Sequence, residues 1–169
     1  MKSKLICFDL DGTLIDFNDR NLLPDVTTWF QEHRDEYKFA LITNQGGVGL
    51  RYWMESGGFG DPERYPTQER VDARIQQVIS ELGGEWKVYR CFAYQSSKSW
   101  EWSPTPEGKE TDPEWSKEWR KPRPGMLVQA MQDYGVNSDD TLFVGDTSDD
   151  EYCAERASVE FRYNDKFFI

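Results

Sequence analysis

The chain has 169 residues, of which 31 are acidic and 20 are basic, so its formal net charge is −11. A length close to that of one typical domain, with no break in composition, predicts a single domain over residues 1–169. The acidic excess argues against strong non-specific binding to nucleic acids or to anionic membrane surfaces. The longest apolar run near the start, Leu5–Phe8, is far too short for a signal peptide or a membrane span, and we therefore expect a cytoplasmic protein.

Short apolar runs alternate along the chain with longer amphipathic stretches, an order that is typical of β–α units packed into a parallel sheet. Pro24 suits the first turn of a helix, Thr67 can cap another, and Gly83 and Gly135 can end two of them. The patterns predict strands at 5–8, 39–42, 88–93, 141–144 and 159–163, and helices at about 24–34, 68–82, 124–134 and 150–157. The predicted fold is therefore α/β, with three layers, a central parallel sheet and a Rossmann-like arrangement.

Two connections are longer than compact domains usually need, and we predict both as long loops over the functional site. The first covers residues 44–66 and contains six glycines. The second covers residues 95–119 and contains four tryptophans, which are Trp100, Trp102, Trp115 and Trp119. Two interpretations of these tryptophans are open at this point: they contact a substrate, or they pack the loop onto the sheet.

Polar motifs follow the predicted strands at the edge where open parallel α/β sheets bind their ligands. Residues 9–13 are Asp-Leu-Asp-Gly-Thr after the first strand, and residues 43–45 are Thr-Asn-Gln after the second. Residues 120–125, Arg-Lys-Pro-Arg-Pro-Gly, lie at the start of a helix, and residues 145–150, Gly-Asp-Thr-Ser-Asp-Asp, follow the fourth strand. Carboxylates, a hydroxyl group and a lysine are thus expected to converge on one pocket.

This set of side chains is suited to phosphoryl transfer. A carboxylate can attack phosphorus, while a lysine and a hard cation neutralise the charge on the phosphate oxygens. Several acids without a cation would repel a phosphate, and Mg²⁺, which binds carboxylate and carbonyl oxygens, removes that repulsion. Asp9 and Asp11 would point to the same side of an extended segment, and Gly12 lets the chain turn directly after them. We therefore expect Mg²⁺ as the cofactor.

The motifs resemble those of the haloacid dehalogenase superfamily, in particular its small phosphatases that have no large cap domain. Residues 9–13 are similar to the first motif of that superfamily, Thr43 to the second, Lys121 to the third, and residues 145–150 to the fourth. The segments 43–49 and 120–126 further resemble the branch that holds histidinol-phosphate phosphatase, heptose-bisphosphate phosphatase and the phosphatase domain of polynucleotide kinase/phosphatase. The resemblance implies a phosphomonoesterase that works through an aspartyl-phosphate.

The resemblance also implies roles for individual residues. Asp9 would be the nucleophile and Asp11 the general acid, which later activates water. Thr43 would hold the phosphate, and Lys121 would stabilise the phosphate and the nucleophile together. The residues expected to bind substrate are Asn44, Gln45 and Arg120.

The same resemblance implies a ligand set for Mg²⁺. Asp9, the backbone carbonyl of Asp11 and Asp146 would bind the ion, and Asp150 would support them. Asp149 is an alternative to Asp150, because the two are neighbours in the chain and only the spacing of the superfamily motif favours the latter.

One departure from the branch concerns a zinc loop that its sugar-phosphate members often carry. Cys91 stands at a plausible first ligand position, but Ala93, Lys117 and Trp119 occupy the other three, and we expect no zinc. The substrate candidates are a small phosphorylated metabolite and a nucleic-acid 3′-phosphate end. The alternatives from other classes are a receiver-like domain that accepts phosphate for signalling and a binding module that keeps the fold without catalysis.

Overall fold

The computed structural model describes residues 4–169, and its centre is a five-stranded sheet in the order β3-β2-β1-β4-β5. All four strand pairs are parallel. The strands are β1 (Leu5–Phe8), β2 (Lys38–Asn44), β3 (Glu85–Cys91), β4 (Thr141–Gly145) and β5 (Glu160–Tyr163). The α/β class and the parallel sheet predicted from the sequence are confirmed, and the described residues form no large cap domain.

Within residues 4–169, six α-helices connect or follow the strands. They are α1 (Val26–His33), α2 (Gly46–Gly57), α3 (Gln68–Leu82), α4 (Gly125–Tyr134), α5 (Ser148–Arg156) and α6 (Asn164–Phe167). The Thr67 side chain caps α3 as predicted, accepting a hydrogen bond from the amide of Arg70, and Gly135 ends α4 with a φ of 65°. The predicted start of α1 at Pro24 is two residues too early, β3 begins three residues earlier than predicted, and α6 was not predicted.

Apolar side chains cover both faces of the sheet and so produce the three layers. On the face that contacts α1 and α3, Phe8 lies within about 6 Å of six other aromatic rings, which belong to Trp29, Phe30, Phe39, Trp86, Phe167 and Phe168. On the opposite face, residues of α4 and α5 such as Leu127 and Cys153 are fully buried against β1, β2 and β4. The high aromatic content of the sequence is therefore concentrated in one layer of the core.

The prediction of a loop over residues 44–66 is wrong, because Gly46–Gly57 form helix α2. Glycines favour loops through their backbone freedom, but Gly49 serves another purpose here. A Cβ atom on Gly49 would collide with the backbone carbonyl oxygen of Phe92, so only glycine lets α2 lie this close to the end of β3. The helix ends at Gly58, which has a φ of 67°.

The loop over residues 95–119 is long and mostly irregular, as predicted, with 3₁₀ turns at Pro113–Trp115 and Lys117–Trp119. Trp115 packs 5.5 Å from the ring of Phe92, and Trp119 packs 5.9 Å from the ring of Tyr89. Trp100, in contrast, is 70% exposed. Trp115 and Trp119 therefore pack the carboxyl-terminal part of this loop against the end of β3. Among residues 4–169, no helix is long and apolar enough to cross a membrane.

Candidate active site

The carboxyl ends of β1 and β4 bring three carboxylates together. Asp9 follows β1, Asp146 follows β4, and Asp150 lies in the first turn of α5. Oxygen atoms of these three side chains lie within 4.8 Å of one another, and the Asp9 amide donates a 3.0 Å hydrogen bond to the carbonyl of Val144. Parallel pairing of the two strands thus places residues that are far apart in the sequence in one cluster.

Lys121 neutralises part of this cluster from a position that is only 3% exposed. Its Nζ donates to Asp9 Oδ1 at 2.8 Å, to Asp150 Oδ1 at 2.6 Å and to the carbonyl of Ile42 at 2.9 Å. Burial by itself would lower the pKa of Lys121, but attraction to Asp9 and Asp150 outweighs it and raises the pKa above its ordinary value. The ammonium is therefore charged at neutral pH.

The carboxylates titrate differently because they share that one ammonium. Burial raises the pKa of Asp9 well above its ordinary value, against the opposing attraction of Lys121. Burial also raises the pKa of Asp146. For Asp150, burial is outweighed by the charge of Lys121 and by its hydrogen bonds, which together lower the pKa. With all three carboxylates ionised, the cluster and its one ammonium would sum to −2, a charge that one divalent cation balances, and oxygen donors are what Mg²⁺ prefers.

Thr13 and Gly12 complete the turn that follows β1. The fully buried Thr13 hydroxyl contacts Asp9 Oδ2 at 3.3 Å and Asp146 Oδ1 at 3.2 Å, so it ties the two carboxylates together. Gly12 has a φ of 84°, and a Cβ atom there would collide with the Asp146 carboxylate. The turn therefore requires glycine both for its backbone conformation and for space.

Between the two neighbouring acids of α5, the structure places Asp150 in the cluster. Asp150 is 1% exposed, and its Oδ2 accepts hydrogen bonds from the amides of Asp146 and Thr147. The Thr147 hydroxyl accepts in return from the amide of Asp150, which completes a capping box at the start of α5. Asp149 is exposed at the rim of the same cavity.

Asp11 belongs to a separate hydrogen-bond network. Gln45 Nε2 donates to Asp11 Oδ2 at 3.0 Å and to Thr43 Oγ1 at 2.9 Å. Gln45 Oε1 accepts from Arg74 Nη2 at 3.1 Å, and the same nitrogen lies 3.9 Å from Asp11 Oδ2. The hydrogen bonds from Gln45 Nε2 thus hold the side chains of Asp11 and Thr43 in place. Arg74 was not predicted as a site residue, because nothing in the local pattern of α3 distinguishes it from a solvated helix arginine.

Asn44 and Arg120 hold the segment that carries Lys121. The Asn44 side chain accepts from the Lys121 amide at 2.9 Å and donates to the Lys121 carbonyl at 3.0 Å. Arg120 donates to the carbonyl of Ala93 at 3.0 Å, and its guanidinium lies 5.8 Å from the centre of the Tyr94 ring. Burial lowers the pKa of Arg120. Both side chains thus support the loops around the cluster.

A cavity of about 300 Å³ opens above the carboxylates. Asp9, Asp11, Asn44 and Lys121 line it together with the acids of residues 146–150, and Phe17, which is 72% exposed, stands at its rim. Phe17 was not predicted as a site residue; an isolated aromatic residue in the polar segment after the first motif was the available signal. A larger cavity, of about 740 Å³, lies at the amino ends of β2 and β3 and is remote from this chemistry.

Comparison with known proteins agrees with this architecture. The chain is 26% identical over 168 residues to the probable D-glycero-D-manno-heptose-1,7-bisphosphate 7-phosphatase of Thermoplasma volcanium, an alignment that covers 94% of this chain and 97% of that protein. A putative haloacid dehalogenase-like phosphatase from Mesorhizobium loti superimposes with a TM-score of 0.62 at 22% identity, over 94% of this chain and 70% of the other. D,D-heptose 1.7-bisphosphate phosphatase from B. bronchiseptica, solved with magnesium and phosphate, superimposes with a TM-score of 0.58 at 21% identity. This alignment covers 95% of this chain and 79% of the other.

The fold, the order of the motifs and these relatives define a phosphatase of the haloacid dehalogenase superfamily, the class that the sequence motifs predict. More specifically, the family model described as polynucleotide kinase 3 phosphatase matches residues 4–169. The chain belongs to that family.

Proposed function

We propose that this phosphatase is a magnesium-dependent phosphomonoesterase that works through an aspartyl-phosphate on Asp9. The observation that carries the proposal is the contact of buried Lys121 with both Asp9 and Asp150, beside the carboxylate of Asp146. A carboxylate held by an ammonium at the mouth of a cavity is available as a nucleophile, and the same ammonium can neutralise an incoming phosphate.

In the first step, an oxygen of Asp9 attacks phosphorus and the bond from phosphorus to the leaving oxygen breaks. Asp11 gives its proton to that leaving oxygen, and the phosphoryl group stays on Asp9. In the second step, Asp11 takes a proton from water, the water oxygen attacks phosphorus, and the bond to Asp9 breaks to release inorganic phosphate. The hydrogen bond from Gln45 holds Asp11 for both transfers, and Thr43 holds the phosphate.

Mg²⁺ would be held by Asp9, Asp146 and the backbone carbonyl of Asp11, with Asp150 orienting the amides of residues 146 and 147. When bound, the ion neutralises charge on the phosphate oxygens and orients the phosphate. Two findings support this assignment: three clustered carboxylates share the ammonium of Lys121, and the related structure from B. bronchiseptica holds magnesium and phosphate.

The proposed substrate is a phosphate monoester, either a small phosphorylated metabolite or a nucleic-acid 3′-phosphate end. The name of the Thermoplasma volcanium relative favours a sugar phosphate, and the name of the family favours the nucleic-acid end. A net charge of −11 argues against long contacts with a polynucleotide, so a nucleic acid would be recognised at its terminus.

The test is Asp9→Asn with an aryl phosphate as substrate and Mg²⁺ present. We expect turnover to fall below about one thousandth of the wild-type rate, because an amide oxygen is a poor nucleophile. The melting temperature should be unchanged or raised, since burial penalises the charged form of Asp9 and Lys121 keeps Asp150 as a charged partner. Asp139→Asn, an exposed change of the same kind, should keep wild-type turnover. Wild-type turnover in Asp9→Asn would overturn the mechanism.

A further inference from the structure

Arg74, which lies on α3 and outside the four family motifs, is held beside the site at a cost to the fold. Its side chain is only 16% exposed. Within the part of the chain that the structure describes, its Nε is buried without a hydrogen-bond partner. Burial lowers the pKa of the guanidinium, and attraction to Asp11 offsets only part of this. A buried donor without a partner destabilises a protein, so stability alone does not account for an arginine at this position.

The contacts of Arg74 fix the orientation of the Gln45 amide. Arg74 Nη2 donates to Gln45 Oε1 at 3.1 Å, and Gln45 Nε2 donates to Asp11 Oδ2 at 3.0 Å. A guanidinium has only donors, and an ionised carboxylate has only acceptors. Turning the amide over would place its NH₂ group against the guanidinium and its oxygen against the carboxylate. Arg74 and Asp11 together therefore permit one orientation of Gln45, whose side chain is buried between them.

The Asp11 carboxylate depends on this amide for its position. Among residues 4–169 it accepts no hydrogen bond other than the one from Gln45, and its side chain is 24% exposed. Because Gln45 occupies Oδ2, Oδ1 remains to hold the proton that the proposed mechanism gives to the leaving oxygen. Proton transfer requires the acid to lie within hydrogen-bond reach of that oxygen, and a misplacement of about 1 Å costs about 10²-fold in rate. The orientation of Gln45 is therefore expected to control this transfer.

The second hydrogen bond of Gln45 affects a different part of the reaction. Gln45 Nε2 donates to Thr43 Oγ1 at 2.9 Å, so the proton of the Thr43 hydroxyl stays available for the phosphate. This contact serves every phosphate ester alike. Asp11, in contrast, matters most for esters whose leaving group is basic, because a weakly basic leaving group departs without a proton.

We propose that Arg74 is a positioning residue, which acts through Gln45 to hold Asp11 in the geometry that protonates a basic leaving group. The inference rests on the proposed function, in which Asp11 is the general acid. Loss of Arg74 should therefore discriminate between phosphate esters by the basicity of their leaving groups. A residue that only supports the fold would slow the hydrolysis of all esters equally.

The experiment measures kcat/KM with Mg²⁺ for two esters of similar size. They are p-nitrophenyl phosphate, whose leaving group is weakly basic, and benzyl phosphate, whose leaving group is a strongly basic alkoxide. The ratio of the two values, measured on one protein sample, does not depend on the fraction of that sample that is folded. It also covers only the steps up to departure of the leaving group, in which Asp11 acts as the acid.

The variants are chosen to separate the acid, the amide and the arginine. Arg74→Met removes the guanidinium and keeps an unbranched apolar side chain, and it is combined with Gln45→Leu in a double variant. Asp11→Asn gives the effect of losing the acid itself. Arg70→Met is the matched control, since Arg70 is an exposed arginine that lies one turn earlier on the same helix.

We expect Arg74→Met to lower kcat/KM about tenfold more for benzyl phosphate than for p-nitrophenyl phosphate. Gln45→Leu should shift the ratio at least as far. The double variant should shift it no further than Gln45→Leu alone, because Arg74 acts through Gln45. Arg70→Met should keep the wild-type ratio.

An unchanged ratio in Arg74→Met, with a shifted ratio in Asp11→Asn, would overturn the inference and leave the proposed function standing. So would a shift in the double variant equal to the product of the two single shifts, or a shift in Arg70→Met as large as that in Arg74→Met. In the first of these two cases Arg74 would act independently of Gln45, and in the second the effect would come from the charge of α3. No phosphate release from either ester by the wild-type protein, or an unchanged ratio in Asp11→Asn, would instead count against the proposed function and its general acid.

Discussion

At the scale of single residues, Lys121 is a buried charge that is held by two carboxylates. Its ammonium is almost completely buried and contacts two carboxylates at 2.8 Å and 2.6 Å. Removing one partner of a buried ion pair leaves an uncompensated charge, at a cost of about 3–5 kcal/mol. The lysine is therefore expected to stabilise the fold as well as the reaction.

The corresponding prediction concerns Lys121→Met. Without Mg²⁺, we expect the free energy of unfolding to fall by about 3 kcal/mol, because Asp9 and Asp150 lose the ammonium. The loss should be larger at pH 8 than at pH 5: with the ammonium gone, burial raises both carboxyl pKa values in the folded state, and a raised folded pKa makes stability fall as pH rises. Urea unfolding at both pH values measures this.

A matched control is the double variant Lys121→Met with Asp150→Asn. It removes one of the two carboxylates that have lost the ammonium, so it should recover part of the lost stability. It should not recover the activity. A Lys121→Met protein as stable as wild type at pH 8 would show that the ammonium is not needed to hold the carboxylates.

At the scale of elements, α2 shows how the fold positions the site. Its first residue directly follows Gln45, whose side chain holds Asp11 and Thr43. The helix lies close to the end of β3 because Gly49 leaves room for the Phe92 carbonyl. A small displacement of α2 would therefore move Gln45 and, through it, the proposed general acid.

We predict that Gly49→Ala destabilises the protein by about 1–3 kcal/mol, the usual cost of forcing an extra group into a packed region. The control is Gly57→Ala, at the other end of α2, where an added Cβ would lie 3.0 Å from the ring of Phe59, an exposed side chain that is free to shift, and 3.9 Å from Trp53. That change should be neutral or slightly stabilising, because alanine favours a helix more than glycine does. Thermal unfolding of both variants measures the difference, and equal melting temperatures would refute the packing role of Gly49.

Elements whose pattern is local could be predicted from the sequence, and contacts between elements could not. The buried strands are plain apolar runs, and the acids that follow β1 and β4 converge because parallel strands end at one edge. Helix α2 was missed because its glycines favour a loop by themselves, and only the nearby Phe92 carbonyl explains Gly49. Arg74 was missed because its contact with Asp11 arises from the packing of α3 and not from any spacing in the sequence.

At the scale of the whole molecule, the formal net charge is carried by two segments of the sequence. Residues 9–19 hold four acids and residues 139–155 hold seven, with no lysine or arginine in either segment, so the other residues hold 20 acids and 20 bases. These two segments supply the three carboxylates of the cluster. The charge of −11 is therefore formally a property of the segments that form the proposed magnesium site.

This distribution predicts that Mg²⁺ stabilises the fold by binding to the carboxylate cluster, and not merely by screening the repulsion between the acidic side chains. At a concentration about 100 times the dissociation constant, a ligand that binds only the native state adds about 2.7 kcal/mol. We expect the melting temperature to rise with MgCl₂ but not with NaCl at the same ionic strength, and Asp146→Asn to remove most of the rise. An equal rise with NaCl would mean that the acids repel one another without forming a metal site.

The most direct test of the central claim is to trap the phosphorylated enzyme. Wild-type protein turning over an aryl phosphate with Mg²⁺ is quenched in acid, digested and analysed by mass spectrometry for a phosphoryl group. The mechanism predicts that the group is found on Asp9, that it disappears when the substrate is exhausted, and that the Asp9→Asn protein shows none. Phosphorylation of a different residue during turnover would contradict the assignment of Asp9 as the nucleophile.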